Sequence, residues 1–273
     1  LKELFRKYVA VLRAGISSAL EYRFNFLFQL FINISIGIVV QVFLWNAVYE
    51  SSPTTVSIGG FSHFSLLVYI AIAGIVSAIT KSGKAERSAS DEIRLGTISK
   101  YIVKPISHIG YVIFSSVAER TATFVGTILI LFVVGIPFFV YYSVSFSVVN
   151  VLLSLPLVLI GVISNILMGL LLSYLAFWVD ETWTFHIIKD IATWFLSGSL
   201  VPYSALPPVF EKAFSYLPFQ FLASTPALVI TQGVTFHQYL FYFVLGGAWI
   251  VLLWMMNILL FRIGIRYFAA FGN

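Results

Sequence analysis

The four histidines, His63, His108, His186 and His237, are the first place to look for chemistry, and their spacing argues against it. No two stand at i, i+4 as a helical zinc pair requires, and no carboxylate accompanies them at metal-ligand spacing. Each reads as an interfacial or packing side chain. The chain also lacks a glycine-rich phosphate cradle, a G-x-S-x-G turn and a dinucleotide turn, so it is expected to be no enzyme and to bind no cofactor itself. With no cysteine there is neither a disulfide nor a thiolate metal ligand. What remains is charge in apolar surroundings. Glu119 with Arg120 and Lys189 with Asp190 are adjacent acid and base residues beside or within long apolar runs. A charge at the centre of a membrane helix costs about 2.5–3.5 kcal/mol on insertion scales, so such residues either pair or mark an ion path. Glu119 and Arg120 fit snorkelling or mutual pairing. Lys189 and Asp190, the deeper couple, can be satisfied at the inner end of their own segment or against a neighbour. Neither couple argues for ion coupling at mid-depth.

Hydropathy dictates the elements that must hold these residues. Hydrophobic residues make up 60% of the 273 and charged residues 10%, with a mean hydropathy of +0.98. That balance excludes a soluble domain and predicts an all-α, polytopic membrane protein. A crossing helix needs about 20 apolar residues, and runs of that kind predict six spans, over 24–49, 61–80, 121–142, 148–178, 184–201 and 239–261. The uncharged stretch between Arg120 and Asp180 is far too long for one crossing and must fold back, with Tyr141, Tyr142, Ser143, Ser145, Ser147 and Asn150 marking the turn. Lys and Arg accumulate on the cytoplasmic side of short loops. An even number of spans puts every Lys and Arg except Lys212 on one face, so both termini are expected to be cytoplasmic. The net charge of +5 is then topology rather than a nucleic-acid footprint. The first apolar run is longer than a signal-peptide core and follows a charged helix, so it is expected to remain in the chain.

Three stretches stand apart from the spans. Residues 1–22 place Leu1, Leu4, Phe5, Tyr8, Leu12 and Ile16 on one helical face opposite Lys2, Glu3, Arg6, Lys7 and Arg13, the pattern of an interfacial helix. Residues 81–108 form the longest charged loop, with Ser88 or Ser90 as a helix cap, Asp91 and Glu92 at its positive end and Gly96 as a left-handed stop. Ile98 to Val103 supplies a further short amphipathic element ended by Pro105. Between Gly198 and Gly233 lie five of the nine prolines, Pro202, Pro207, Pro208, Pro218 and Pro226. Proline removes a backbone donor and disfavours helix in the residue before it, so this apolar block cannot be a single span. Broken backbone at membrane depth survives only under cover of protein or around a water-filled cavity, which makes the block a candidate gate.

Over almost its whole length the chain resembles the membrane subunit of type-2 ABC exporters, in the branch of compact six-span bacterial permeases. The resemblance is carried, in order, by SALEYRFNFLFQLF behind the amphipathic N-terminal helix, by DEIRLGTISKYIVKPISHIGY, and by SGSLVPYSALPPVFEKAFSYLPFQFLASTPALVITQG. It implies a single permease domain over residues 1–273 in the bacterial cytoplasmic (inner) membrane, forming half of a substrate pathway. It assigns Glu92, Arg94, Gly96, Lys104 and Pro105 to the ATPase-coupling surface. Gly198, Pro202, Pro207, Leu217, Pro218, Phe219 and Pro226 match the family's re-entrant outer helices, here 202–233, which close the path as an outer gate. The implied partners are two ATP-binding cassette subunits, which use ATP and Mg, a second permease chain, identical or related, and membrane lipid. The competing expectation is a secondary carrier or channel that ATP does not drive.

Overall fold

The computed structural model describes residues 2–21, 23–51, 57–81, 83–103, 106–136, 140 and 143–268. Among them the fold is helical throughout, with one isolated β-bridge between Ile58 and Phe61 and no strand. Five helical stretches are long and apolar enough to cross a membrane: Leu27–Ser51, His63–Arg94, His108–Val133, Val148–Phe177 and Phe236–Arg266.

Helix α1 (Lys2–Glu21) does not stand alone. It runs alongside the first turns of α6 (His108–Ile130) in the same direction, with Tyr8 stacked on Phe114 at 4.8 Å and the backbone of Gly15 against Ala118. The Tyr8 hydroxyl lies 3.1 Å from Ser107 Oγ, and that oxygen in turn caps α6 by accepting from the Gly110 N–H at 3.1 Å. A capping acceptor of this kind contributes about 1 kcal/mol. One serine thus starts α6 and fastens α1 to it.

Helix α2 (Arg23–Ser51) leads to α3 (His63–Thr80), which Ser62 caps by accepting from the Ser65 N–H. Helix α4 (Lys84–Arg94), a 3-10 turn (Thr97–Ser99) and α5 (Lys100–Val103) follow as a short polar knob. The apolar run expected from Thr121 is the later part of α6, which begins well before it at His108, and a π-helical turn, Leu131–Gly135, continues it. Of the turn expected around residue 143, Tyr141 and Tyr142 lie outside the described residues; Ser143 has a positive φ of 55° and irregular backbone leads into α7 (Val148–Tyr174).

Helix α7 is the centre of the molecule. Its apolar length allows partners on several sides, and one side is taken by α11 (Phe236–Phe268), which runs parallel to it. Gly246 packs against Ile160, and Asn257 Nδ2 donates to the Leu167 carbonyl at 3.0 Å. Between these two helices in sequence lies α8 (Trp183–Leu196), only 14 residues long. At about 1.5 Å per residue it spans about 21 Å, shorter than a hydrocarbon core. A 3-10 turn (Tyr203–Ala205), α9 (Pro208–Phe214), a second 3-10 turn (Pro218–Leu222) and α10 (Ser224–Gln232) complete the chain of elements. The prolines act as the sequence requires: Pro207 and Pro208 open α9, Pro218 opens the second 3-10 turn, and Pro226 sits in the first turn of α10, where a missing N–H is harmless.

Candidate functional site

Helix α4 carries most of the charge of the knob, and it is gripped by acid and base residues from three other helices. Its N-cap, Gly83, has no side chain to satisfy the first backbone donors. Glu119 of α6 does so instead, accepting from the Lys84 N–H at 2.9 Å, while Glu86 reaches back to the Gly83 N–H at 2.7 Å. Both carboxylates sit at the positive end of α4, where they are favoured. The other oxygen of Glu86 meets Arg120 Nη2 at 2.5 Å, and both side chains are almost fully buried. The expected couple of Glu119 with Arg120 therefore splits: both reach for α4 rather than for each other. Helix α4 also starts earlier than expected, leaving Ser88 and Ser90 in its interior and Asp91 and Glu92 in its last turn. The reason is that the acceptors come from Glu86 and from a distant helix, so no local cap is needed.

On the opposite flank Arg87 pairs with Asp190 of α8. The Ser173 hydroxyl of α7 donates to the backbone carbonyl of Glu86, with His186 Nε2 3.1 Å from the same hydroxyl. Lys189, 3.5 Å from Asp190 Oδ1, also reaches inward, donating to Asn165 Oδ1 at 2.9 Å. Asn165 Nδ2 donates to the Thr80 carbonyl at 2.6 Å, and Thr80 Oγ1 donates to the Leu222 carbonyl at 2.7 Å. Lys189 and Asp190 are thus satisfied against neighbouring helices, one of the two outcomes expected for them.

At the far end of α4, Glu92 is a half-buried carboxylate with three donors. Lys100 Nζ lies at 2.6 Å, His108 Nε2 at 3.2 Å and the Tyr101 hydroxyl at 3.4 Å. His108 is buried, with its other ring nitrogen 2.9 Å from the Tyr174 hydroxyl and its ring stacked on Phe261. Ile93 and Ile98 bury themselves against Ile109, Val112, Leu170 and Phe177 below it. Gly96 takes φ 73°, the left-handed conformation that ends α4 and turns the chain into the 3-10 turn. Gly96→Ala is expected to destabilise the knob by about 1–2 kcal/mol, seen as faster hydrogen exchange of residues 95–99. At the turn Leu95 stands out with 76% exposure, beside Arg94, which pairs loosely with Asp91 at 3.8 Å. Lys104 and Pro105 lie outside the described residues.

The proline block forms a second constellation. Near its start the Gly198 carbonyl accepts from the Tyr69 hydroxyl at 2.8 Å; Gly198 has φ 75°, and a Cβ there would stand 2.7 Å from that of Ser224. Pro202 is buried, and the Ser204–Ala205 backbone lies against Gly59, just before α3. From Pro207 the chain passes through the exposed α9, and then Leu217, extended, leads into buried Pro218. Phe219 packs with Leu167, Met168, Leu222 and Leu253. The segment turns at Leu222, bonded to the last residue of α3, and α10 runs back until Gly233 meets Asn150 near the start of α7. Gln220 pins this tip from inside, donating to the Ser215 carbonyl and accepting from Thr225 Oγ1. Pro226 is buried beside it.

Sequence reasoning missed Glu86, Arg87, His108, Thr80, Asn165 and Leu95. Asn165 left a signal, since an amide in an apolar helix of this length needs a partner; Glu86 stands three residues after Gly83, as in a capping box. Among the described residues no group of three or more His, Asp or Glu side chains is placed to hold a metal.

Long apolar helices around a central α7, with the buried charges of Glu86, Arg120 and Lys189 all hydrogen-bonded, define a multi-pass helical membrane protein. Residues 35–272 match the family described as ABC-2 family transporter protein, and the chain belongs to that family. It is accordingly a transporter permease, a membrane subunit that is not itself an ATPase. No curated protein matches the chain.

Proposed function

We propose that the chain is the permease subunit of an ATP-binding cassette exporter, forming half of a substrate pathway driven by separate ATPase subunits. The observation that carries the reading is the family match across residues 35–272. In this reading α8 is a short fifth crossing, and residues 202–233 form a re-entrant block on the outer side of a bacterial cytoplasmic membrane. Both termini and the α4–α5 knob then face the cytoplasm, and two permease chains, identical or related, surround the path. Geometry supports a coupling role for the knob, because a surface that transmits force must be held to the helices it moves. Glu92 and Gly96 shape the knob, while Arg94 and Leu95 present it. An exposed leucine at the apex is suited to enter an apolar recess of an ATPase subunit, with Arg94 at its edge.

Affinity purification of the tagged chain in mild detergent tests this. A nucleotide-binding subunit is expected to co-purify, and Leu95→Asp is expected to reduce its recovery at least tenfold. The melting temperature of the variant should stay near that of the original chain, since Leu95 supports no packing. Recovery of the original chain without an ATPase, conducting ions by itself, would overturn the reading.

A further inference from the structure

The two constellations described above are joined by one line of polar contacts, half-exposed at its start and buried beyond it. It starts on α4 at Arg87, which holds Asp190 of α8. The neighbouring residue, Lys189, has its ammonium 3.5 Å from Asp190 Oδ1 and donates to Asn165 of α7; Asn165 holds the end of α3 through the Thr80 carbonyl; and Thr80 Oγ1 holds the tip of the proline block at Leu222. Thr80, Asn165 and Lys189 are all buried. Groups buried this way keep their partners, because each unpaired donor or acceptor costs about 1–3 kcal/mol. The tip cannot shift relative to the end of α3 without breaking the bond from Thr80 Oγ1 to the Leu222 carbonyl. Nor is the tip loose within itself: Gln220 ties its two limbs, and the Ser224 N–H donates to the Ser197 carbonyl at 2.9 Å. Close backbone packing adds to this, since Gly161 of α7 lies directly under the Phe221 carbonyl.

We propose that Lys189, Asn165 and Thr80 act as a strut through which displacement of the α4 knob is passed to the tip at Leu222, so that knob and tip respond together. These three are positioning residues. The inference deepens the exporter reading, on which its meaning for transport rests, but the mechanical link itself is a property of the isolated chain.

The chain has no cysteine, so a single Ala227→Cys on buried α10 reports on the tip alone. Its labelling rate by a water-soluble maleimide, measured on the full chain in lipid nanodiscs, gives the frequency with which the tip opens. Arg87→Glu, which turns the Asp190 contact into repulsion at the knob, is expected to raise that rate about tenfold. Thr80→Val removes only the hydroxyl at the other end of the strut and is expected to raise the rate by itself. Combining the two should then add less than twofold to Thr80→Val, whereas Thr80→Ser, which keeps the hydroxyl, should leave the full response to Arg87→Glu. Lys189→Met provides a second cycle should Thr80→Val fail to fold. Additive effects in the cycle, or a tip that ignores Arg87→Glu, would overturn the strut. No ATPase or substrate enters this measurement, so a negative result leaves the exporter reading intact, and failure of an ATPase to co-purify leaves the strut intact.

Discussion

Arg120→Met is expected to lower the stability of the chain by about 3–5 kcal/mol, the cost of leaving a buried carboxylate without its counter-charge. Glu86 is 1% exposed, its second oxygen is already committed to the Gly83 N–H, and among the described residues no other cation is hydrogen-bonded to it. Thermal unfolding in detergent, followed by tryptophan fluorescence, measures the effect. Two comparisons separate a buried pair from charge in general. Glu86→Gln combined with Arg120→Met should recover most of the loss, because the amide still accepts from Gly83 and neither member of the pair leaves a charge without its partner. Arg87→Gln, at the half-exposed pair with Asp190, should cost about 1 kcal/mol or less. If Arg120→Met costs no more than Arg87→Gln, the grip on α4 does not depend on the buried pair.

The legible parts of this fold are those governed by local rules. Uninterrupted apolar runs mark α2, α3, α7 and α11 directly, since length and hydropathy suffice for a crossing helix. The prolines of 198–233 announced a broken segment for equally local reasons, and Gly96 announced the stop after α4. What was not legible depends on partners far away in sequence. The start of α4 was misplaced because its acceptor, Glu119, comes 35 residues later on another helix. Glu119 and Arg120 looked like a couple because they are adjacent, yet successive residues on a helix point in different directions, and the two grip α4 at separate points. Glu92, which the resemblance assigns to the coupling surface, is half-buried and held by His108 and Lys100, while Leu95, which the resemblance does not single out, stands exposed at the apex. The bond from Thr80 to the Leu222 carbonyl could not be anticipated at all, because a backbone acceptor leaves no trace in residue identity.

Gly161→Ala is expected to dislodge the tip of the proline block, although alanine is ordinarily the better helix residue by about 1 kcal/mol. A Cβ at this position would run into the Phe221 carbonyl, which is backbone and cannot rotate away. Overpacking of this kind typically costs about 1–3 kcal/mol, and the segment that can yield is the short 3-10 turn rather than the long α7. Lifting Phe221 pulls Leu222 from Thr80, so the tip should loosen even with the strut residues intact. The Ala227→Cys labelling rate should rise at least tenfold. Gly247→Ala on α11 is the matched control, since a Cβ there has nothing within 4 Å, and it should leave the rate unchanged. A Gly161→Ala chain that labels like the control would mean that the tip rides above α7 without bearing on it. The contact of Phe221 with α7 would then take no part in holding the block, which would rest on the bonds from Thr80 and Tyr69 of α3 and on the packing of Phe219.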